Sequence, residues 1–87
     1  MGHKRQIPAR LGEKLKAIRE HLELTSEQLI ERLDCPLVVL NRRNIDKYEK
    51  NLSAPPTIII LRYARLAGIY IDDLIDDSVD LELGQKV

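Results

Sequence analysis

Two neighbouring stretches decide how this chain folds: Leu24-Thr25-Ser26-Glu27-Gln28-Leu29 and Asn41-Arg42-Arg43-Asn44-Ile45-Asp46-Lys47-Tyr48-Glu49. In the first, Thr25 and Gln28 have the Thr-x-x-Gln spacing of a capping box. There each side chain satisfies a backbone N–H that the first turn of a helix leaves unpaired. A short helix follows, with Leu29, Ile30 and Leu33 at its apolar positions. In the second stretch Asn41 is a good N-cap, Ile45 and Tyr48 turn inward, and Arg42, Arg43, Lys47 and Lys50 face outward. Asn51 tolerates the left-handed conformation that stops a helix. The seven residues 34–40 lie between the two. Within them residues 37–40 read equally well as a buried connection or as the opening turns of a helix beginning at Pro36.

The rest of the chain also reads as helix. Leu11, Leu15, Ile18 and Leu22 recur at helical steps, with Glu13, Lys14, Lys16 and Glu20 off the stripe, which predicts a helix over residues 8–23 with Pro8 in its first turn. After the rigid loop Ser53-Ala54-Pro55-Pro56, a helix over 56–67 places Ile60, Leu61, Ala64 and Ala67 on one face and ends at Gly68. A fifth, short helix covers about 71–76. Val79, Leu81 and Leu83 then alternate with Asp80 and Glu82, the period of an exposed strand. The expected fold is all-α: a compact bundle of about five short helices, with a short strand near the carboxy terminus. Its parts are a flexible basic arm over 1–7, one domain over 8–77, and an acidic tail or dimerisation strand over 78–87.

Composition narrows the function classes. Of 87 residues, 14 are Leu, 10 Ile and 4 Val, enough aliphatic matter for one folded core. With no Trp or Phe and only three Tyr, stacking of bases on aromatic platforms is not expected. Apolar runs reach only four residues, so no segment is expected to span a bilayer. The basic amino terminus lacks the apolar stretch of a secretory signal. A single cysteine, Cys35, allows no internal disulfide and fits a reducing, cytoplasmic setting. Net charge is zero, yet residues 1–65 hold thirteen Lys/Arg against eight Asp/Glu, and residues 66–87 hold one against six. A basic body can face a polyanion while the acidic end points away; an unevenly charged solvated surface is the plainer reading.

Catalytic and metal chemistry are not expected, and no cofactor is. Asp72-Asp73-Leu74-Ile75-Asp76-Asp77 superficially matches a Mg²⁺-diphosphate motif, but that chemistry needs a deep apolar cavity and a second acidic motif. An acidic helix end with solvated carboxylates is the simpler account. His3, His21 and Cys35 lack zinc-ligand spacing. No Gly-rich phosphate loop occurs, and no Ser or Cys nucleophile has an obvious His partner.

A capped helix followed by a basic one, within five short helices, is the layout of a helix-turn-helix domain. Over residues 11–75 the chain resembles the Cro/CI-type (XRE-like) helix-turn-helix family, whose fold is that of the lambda repressor-like DNA-binding domains. The matching stretches are Leu15-Lys16-Ala17-Ile18-Arg19, Leu24-Thr25-Ser26-Glu27-Gln28-Leu29, Asn44-Ile45-Asp46-Lys47-Tyr48-Glu49, Pro55, and Arg62-Tyr63-Ala64-Arg65-Leu66-Ala67-Gly68-Ile69. The resemblance implies sequence-specific binding of double-stranded DNA, commonly as a homodimer, in transcription regulation. It further implies a structural ion pair between Arg19 and Glu49. The chain departs from the family in its long 34–40 connection, in Ser26 where Gln is frequent, in Asp46 on the basic helix, and in Asn51 where Gly is usual.

The residue types fit that expectation. Arg binds guanine O6/N7 bidentately and Asn binds adenine N6/N7, so Asn41, Arg42, Arg43 and Asn44 suit base readout, with Lys47 one turn on. Thr25, Ser26 and Gln28 open a helix whose free N–H groups attract a phosphate. The plainer reading makes the arginines a solvated face and Thr25 and Gln28 simple caps. His3-Lys4-Arg5 is either a groove-seeking arm or a solubilising terminus. Ile59, Tyr63, Leu66 and Tyr70 form a second stripe, either a cover for the carboxy-terminal segment or a dimer patch; the 79–83 strand could pair across a two-fold axis. The competing class is a non-catalytic protein-interaction module, of antitoxin or anti-repressor type, on a scaffold that has lost DNA binding.

Overall fold

Leu11, Leu15 and Ile18, each 1% exposed or less, form the apolar stripe around which the other helices gather. The computed structural model describes residues 7–83. Five helices make up the regular structure among them: α1 (Leu11–His21), α2 (Ser26–Leu33), α3 (Arg42–Glu49), α4 (Thr57–Ala67) and α5 (Ile71–Ile75). Helix α1 packs on α3, α4 and α5, while α2 bridges α3 and α4. Helices of five to eleven residues are marginal alone in water. Burial of Leu29, Leu33, Ile45, Tyr48, Ile59, Ile60, Tyr63, Ala64 and Leu74 against the α1 stripe holds them together, each large side chain contributing about 1.5–3 kcal/mol.

Local sequence explains most helix limits. Thr25 and Gln28 form the expected reciprocal capping box of α2. Asn41 caps α3 and Asn51 ends it at φ 56°, and Gly68 ends α4 at φ 70°. Helix α1 is shorter than the expected 8–23. A turn from Pro8 precedes it, and Glu23, at φ 57°, closes it by sending the Leu24 N–H back to the Arg19 carbonyl. Residues 34–40 contain no helix. They turn at Pro36 and Leu37, with Val38 and Leu40 half-buried.

Four other expectations are corrected. The buried face of α4 is Ile59, Ile60, Tyr63 and Ala64, with Leu61 and Ala67 only half-buried. Ile59 and Tyr63 are fully buried, so neither belongs to a dimer patch; Leu66 is half-buried and Tyr70 is 80% exposed. Four consecutive apolar residues, 58–61, leave the period of α4 undefined, and the core takes the bulky Tyr63. Residues 79–83 form no strand: Leu81 and Leu83 pack onto the core of their own chain. Lys14, expected off the apolar stripe, is 2% exposed, its Nζ donating to the Asp73 and Asp76 carbonyls at 2.6 and 2.8 Å at the end of α5. The proposed arm residues His3, Lys4 and Arg5 lie outside the described residues.

The acidic stretch also works within the fold. The Asp77 carboxylate accepts from the Ala9 and Arg10 N–H groups, both at 2.9 Å, and so caps the start of α1 from the far end of the sequence. Arg10 reaches Asp80 at 2.7 Å and the Asp77 carbonyl at 3.1 Å. The Ser78 hydroxyl and N–H hold the Asp76 carboxyl below the usual carboxylate range. That contact therefore stabilises the fold at neutral pH and is lost as pH falls through the carboxylate range.

Asn51 and Gly12 make the closest junction. Asn51 Oδ1 accepts from the Gly12 N–H at 2.8 Å, and Nδ2 donates to the Pro8 and Ala9 carbonyls at 3.2 and 2.8 Å. A Cβ on Gly12 would stand 2.6 Å from the Glu49 carbonyl oxygen and 2.9 Å from that of Tyr48. Gly12→Ala gains about 1 kcal/mol in helix propensity, but these neighbours are backbone and overpacking costs about 1–3 kcal/mol. Urea unfolding should show a net loss of stability. Asn51→Gly relieves the left-handed backbone by about 1 kcal/mol yet removes three hydrogen bonds worth about 1 kcal/mol each. It too should destabilise, and a Gly variant as stable as the parent would refute the role given to this side chain.

Candidate nucleic-acid interface

The starts of α2 and α3 face a common open cleft of about 900 Å³. Thr25, Ser26 and Glu27 line it from α2, Arg42, Arg43 and Asp46 from α3, and Arg19 and Glu49 form its inner wall. Each helix start is fixed by reciprocal caps. The Gln28 N–H donates to Thr25 Oγ1 at 3.1 Å while Gln28 Oε1 accepts from the Thr25 N–H at 2.9 Å. At α3 the Asn44 N–H donates to Asn41 Oδ1 at 3.0 Å, and Asn44 Oδ1 accepts from the Asn41 N–H at 2.9 Å. The sequence predicts the first box and, of the second, only the Asn41 cap, because Asn at the third helical position is a rarer partner than Glu or Gln.

These caps sort the expected contact residues. Thr25, Ser26, Arg42 and Arg43 come together at the cleft with Arg19 and Glu49. Gln28 is tied to its cap and borders a separate depression with Leu24, Glu31 and Arg32. Asn41 and Asn44 spend their carbonyl oxygens on the backbone and keep only their NH₂ groups toward solvent. Lys47 is exposed one turn along α3, outside the cleft lining. Glu27 belongs to the lining but was not among the expected residues. Its place in the first turn of α2 beside Thr25 and Ser26 was the available signal.

Arg42 and Arg43 are exposed and have no hydrogen bond or ion pair with the described residues. Their position is electrostatically unfavourable. The first turn of a helix carries a partial positive charge, so each cation there costs about 0.3–1 kcal/mol. The first turn of α3 contains no acid to offset them, and the cap at its third position is a neutral amide. Asp46, one turn on, pairs with Lys50 at 3.1 Å on the surface. The tip of α3 is thus a fixed cationic point.

Behind it, Arg19 holds the other end of α3. Its Nε donates to Glu49 Oε2 at 2.7 Å, Nη2 to Oε1 at 3.1 Å, and Nη1 to the Leu24 carbonyl at 3.2 Å. The bidentate Glu49 carboxylate holds the Arg19 guanidinium above its ordinary pKa. Tyr63, fully buried, lies close enough for both charges to act on its phenol, which burial pushes above its ordinary value. Its hydroxyl and Arg62 Nε are buried without a hydrogen-bond partner among the described residues.

Comparison of the chain with protein-family models, with curated proteins and with solved structures found no match. No helix among the described residues is long and apolar enough to cross a membrane, and no three His, Cys, Asp or Glu side chains among them group as a metal site requires.

The Arg19–Glu49 pair is 22% and 9% exposed at its two side chains, between the surface and interior limits. Arg19→Ala should therefore cost about 2–3 kcal/mol, below the 3–5 kcal/mol of a fully buried pair broken from one side. Arg19→Lys, which cannot form the fork, should lose part of that. Unchanged thermal melting of Arg19→Ala would show that the pair does not fasten α3.

Proposed function

We propose that this chain is a sequence-specific, DNA-binding transcriptional regulator of helix-turn-helix type, probing the major groove with the start of α3. The observation that carries the reading is the pair of exposed arginines at the tip of α3, which have no hydrogen bond or ion pair among the described residues and oppose the helix dipole. Residues that break a local stability rule without compensation are expected at functional sites, and a phosphate- and guanine-rich groove supplies the missing partner. Thr25 and Ser26, across the cleft with the free N–H groups of α2, suit a backbone phosphate that fixes the register. Lys47 suits a phosphate farther along α3. Asn41 and Asn44 serve chiefly as caps, with their NH₂ groups left for acceptors.

The same reading places the protein in the cytoplasm, where Cys35 stays reduced. It acts without catalysis, as a repressor that occludes the sites it occupies. A homodimer would present two α3 tips to half-sites one helical turn apart, with exposed Tyr70 and half-buried Leu66 the remaining candidates for its contact. A second reading, the protein-interaction module, draws on one observation: Glu27 and Asp46 line the cleft beside Arg42 and Arg43, and such mixed charge also suits a protein surface.

Retention on heparin and calf-thymus DNA at low salt, falling steeply as salt rises, is expected of the first reading; no retention favours the second. Arg42→Ala and Arg43→Ala should each weaken binding to a selected duplex by about 1–3 kcal/mol and relax preference at one base pair. The same variants should leave unfolding stability unchanged or raise it by up to about 1 kcal/mol, because a cation leaves the positive helix end. Arg19→Ala should lower stability and affinity together. Intact affinity in both tip variants would remove α3 from the interface.

A further inference from the structure

Five large apolar side chains among the described residues stand exposed, and two of them, Leu37 at 81% and Val39 at 93%, share one short piece of chain. That piece is the connection from α2 to α3, and it is anchored. Asp34 closes α2 in the left-handed conformation, the Val38 N–H donates to the Cys35 carbonyl at 3.3 Å, and Cys35, Val38 and Leu40 pack against the core. With positions 38 and 40 turned inward, the side chains of 37 and 39 are held in solvent on a fixed backbone. They fill no space in the fold.

Their place along the chain is informative. Val39 precedes the Asn41 cap by two residues, so its Cα lies within about 7 Å of the start of α3, or roughly two base-pair steps of B-DNA. The apolar feature that the major groove offers at that range is the C5-methyl group of thymine. We propose that Leu37 and Val39 are specificity-determining residues that contact thymine methyl groups beside the base pairs reached by Arg42 and Arg43. The inference rests on the DNA-binding reading of α3. Charged donors at the helix tip and aliphatic groups just before it read different features of adjacent base pairs, and the seven-residue connection supplies the second set.

The test uses the full chain and a duplex selected from a random library, in which each thymine in turn is replaced by uracil. That exchange removes the methyl group and leaves every hydrogen-bonding edge in place. The parent chain should lose about fourfold in affinity at one or two positions, the effect of one buried methyl-sized group. A Leu37→Ser, Val39→Ser double variant should bind more weakly, respond to uracil at none of those positions, and keep the parent's salt slope. Both side chains are exposed, so its melting should match the parent's, and Val39→Thr, which retains one methyl, should keep part of the response. A flat uracil scan of a parent chain that binds DNA overturns this inference and leaves the DNA reading standing. A parent chain not retained on DNA at low salt overturns both. A double variant that keeps the uracil response, or that shifts a monomer–dimer equilibrium in sedimentation with that response intact, assigns the pair to another surface.

Discussion

The arrangement depends on how closely α1 approaches the far end of α3. At Gly12 the two helices come so near that no Cβ fits between them, and the Asn51 amide bridges the gap with hydrogen bonds to three backbone groups. Seven residues along α1, about 10 Å, Arg19 grips Glu49 with a two-pronged ion pair. Both fastenings act on the carboxy-terminal part of α3. The opposite end, with Arg42 and Arg43, is left projecting. A short helix clamped at its base and held along its inner face by Ile45 and Tyr48 in the core is a rigid pointer, and rigidity is what places side chains to within the tolerance of a hydrogen bond.

The same junction organises the charge. Asp77 caps the start of α1, and Arg10 draws Asp80 to the same end of the molecule. The start of α1 touches the end of α3 through Asn51, so these acids sit near the base of the pointer, while its cations sit a helix length away, about 12 Å. The uncharged whole therefore hides a separation along α3 that exceeds the Debye length at physiological salt. A polyanion approaching the tip meets the arginines with little opposition from the acidic end. The aspartates that look like a solvated tail in the sequence act as caps and anchors, and Lys14 completes the join by donating to the last carbonyls of α5.

Which features were legible in the sequence follows from the range of the interactions behind them. The caps at Thr25 and Asn41 act across three residues and could be read from spacing alone. The left-handed stops at Asn51 and Gly68 depend on residue type and were equally plain. The Arg19–Glu49 pair, thirty residues apart, came only from the resemblance; no periodicity connects the two. Lys14, Asp77 and the side chain of Asn51 were missed because their partners are backbone groups about 40 to 70 residues distant, and backbone partners leave no mark in a sequence. The alternation over 79–83 suggests an exposed strand, but a period of two reports burial, and an extended strap with Val79, Leu81 and Leu83 half-buried on its own chain satisfies it as well as a sheet does. In α4 the uniformly apolar start erased the period, so spacing alone could not place Tyr63 in the core.

The length of the α2–α3 connection then takes on a different meaning. In a domain whose second and third helices are joined by three or four residues, the turn itself sets the angle between them. Here seven residues, 34–40, precede the Asn41 cap of α3, which would leave that angle undetermined if nothing else fixed it. Helix α3 is positioned instead from its other end, through Asn51, Gly12, Glu49 and Arg19, and by Ile45 and Tyr48 in the core. The connection is thereby released from its orienting task. It keeps three inward anchors, Cys35, Val38 and Leu40, and its remaining length can carry side chains chosen for something other than the fold. The stability of the pointer and the chemistry of the loop beside it are thus set by separate residues, so each can change without disturbing the other.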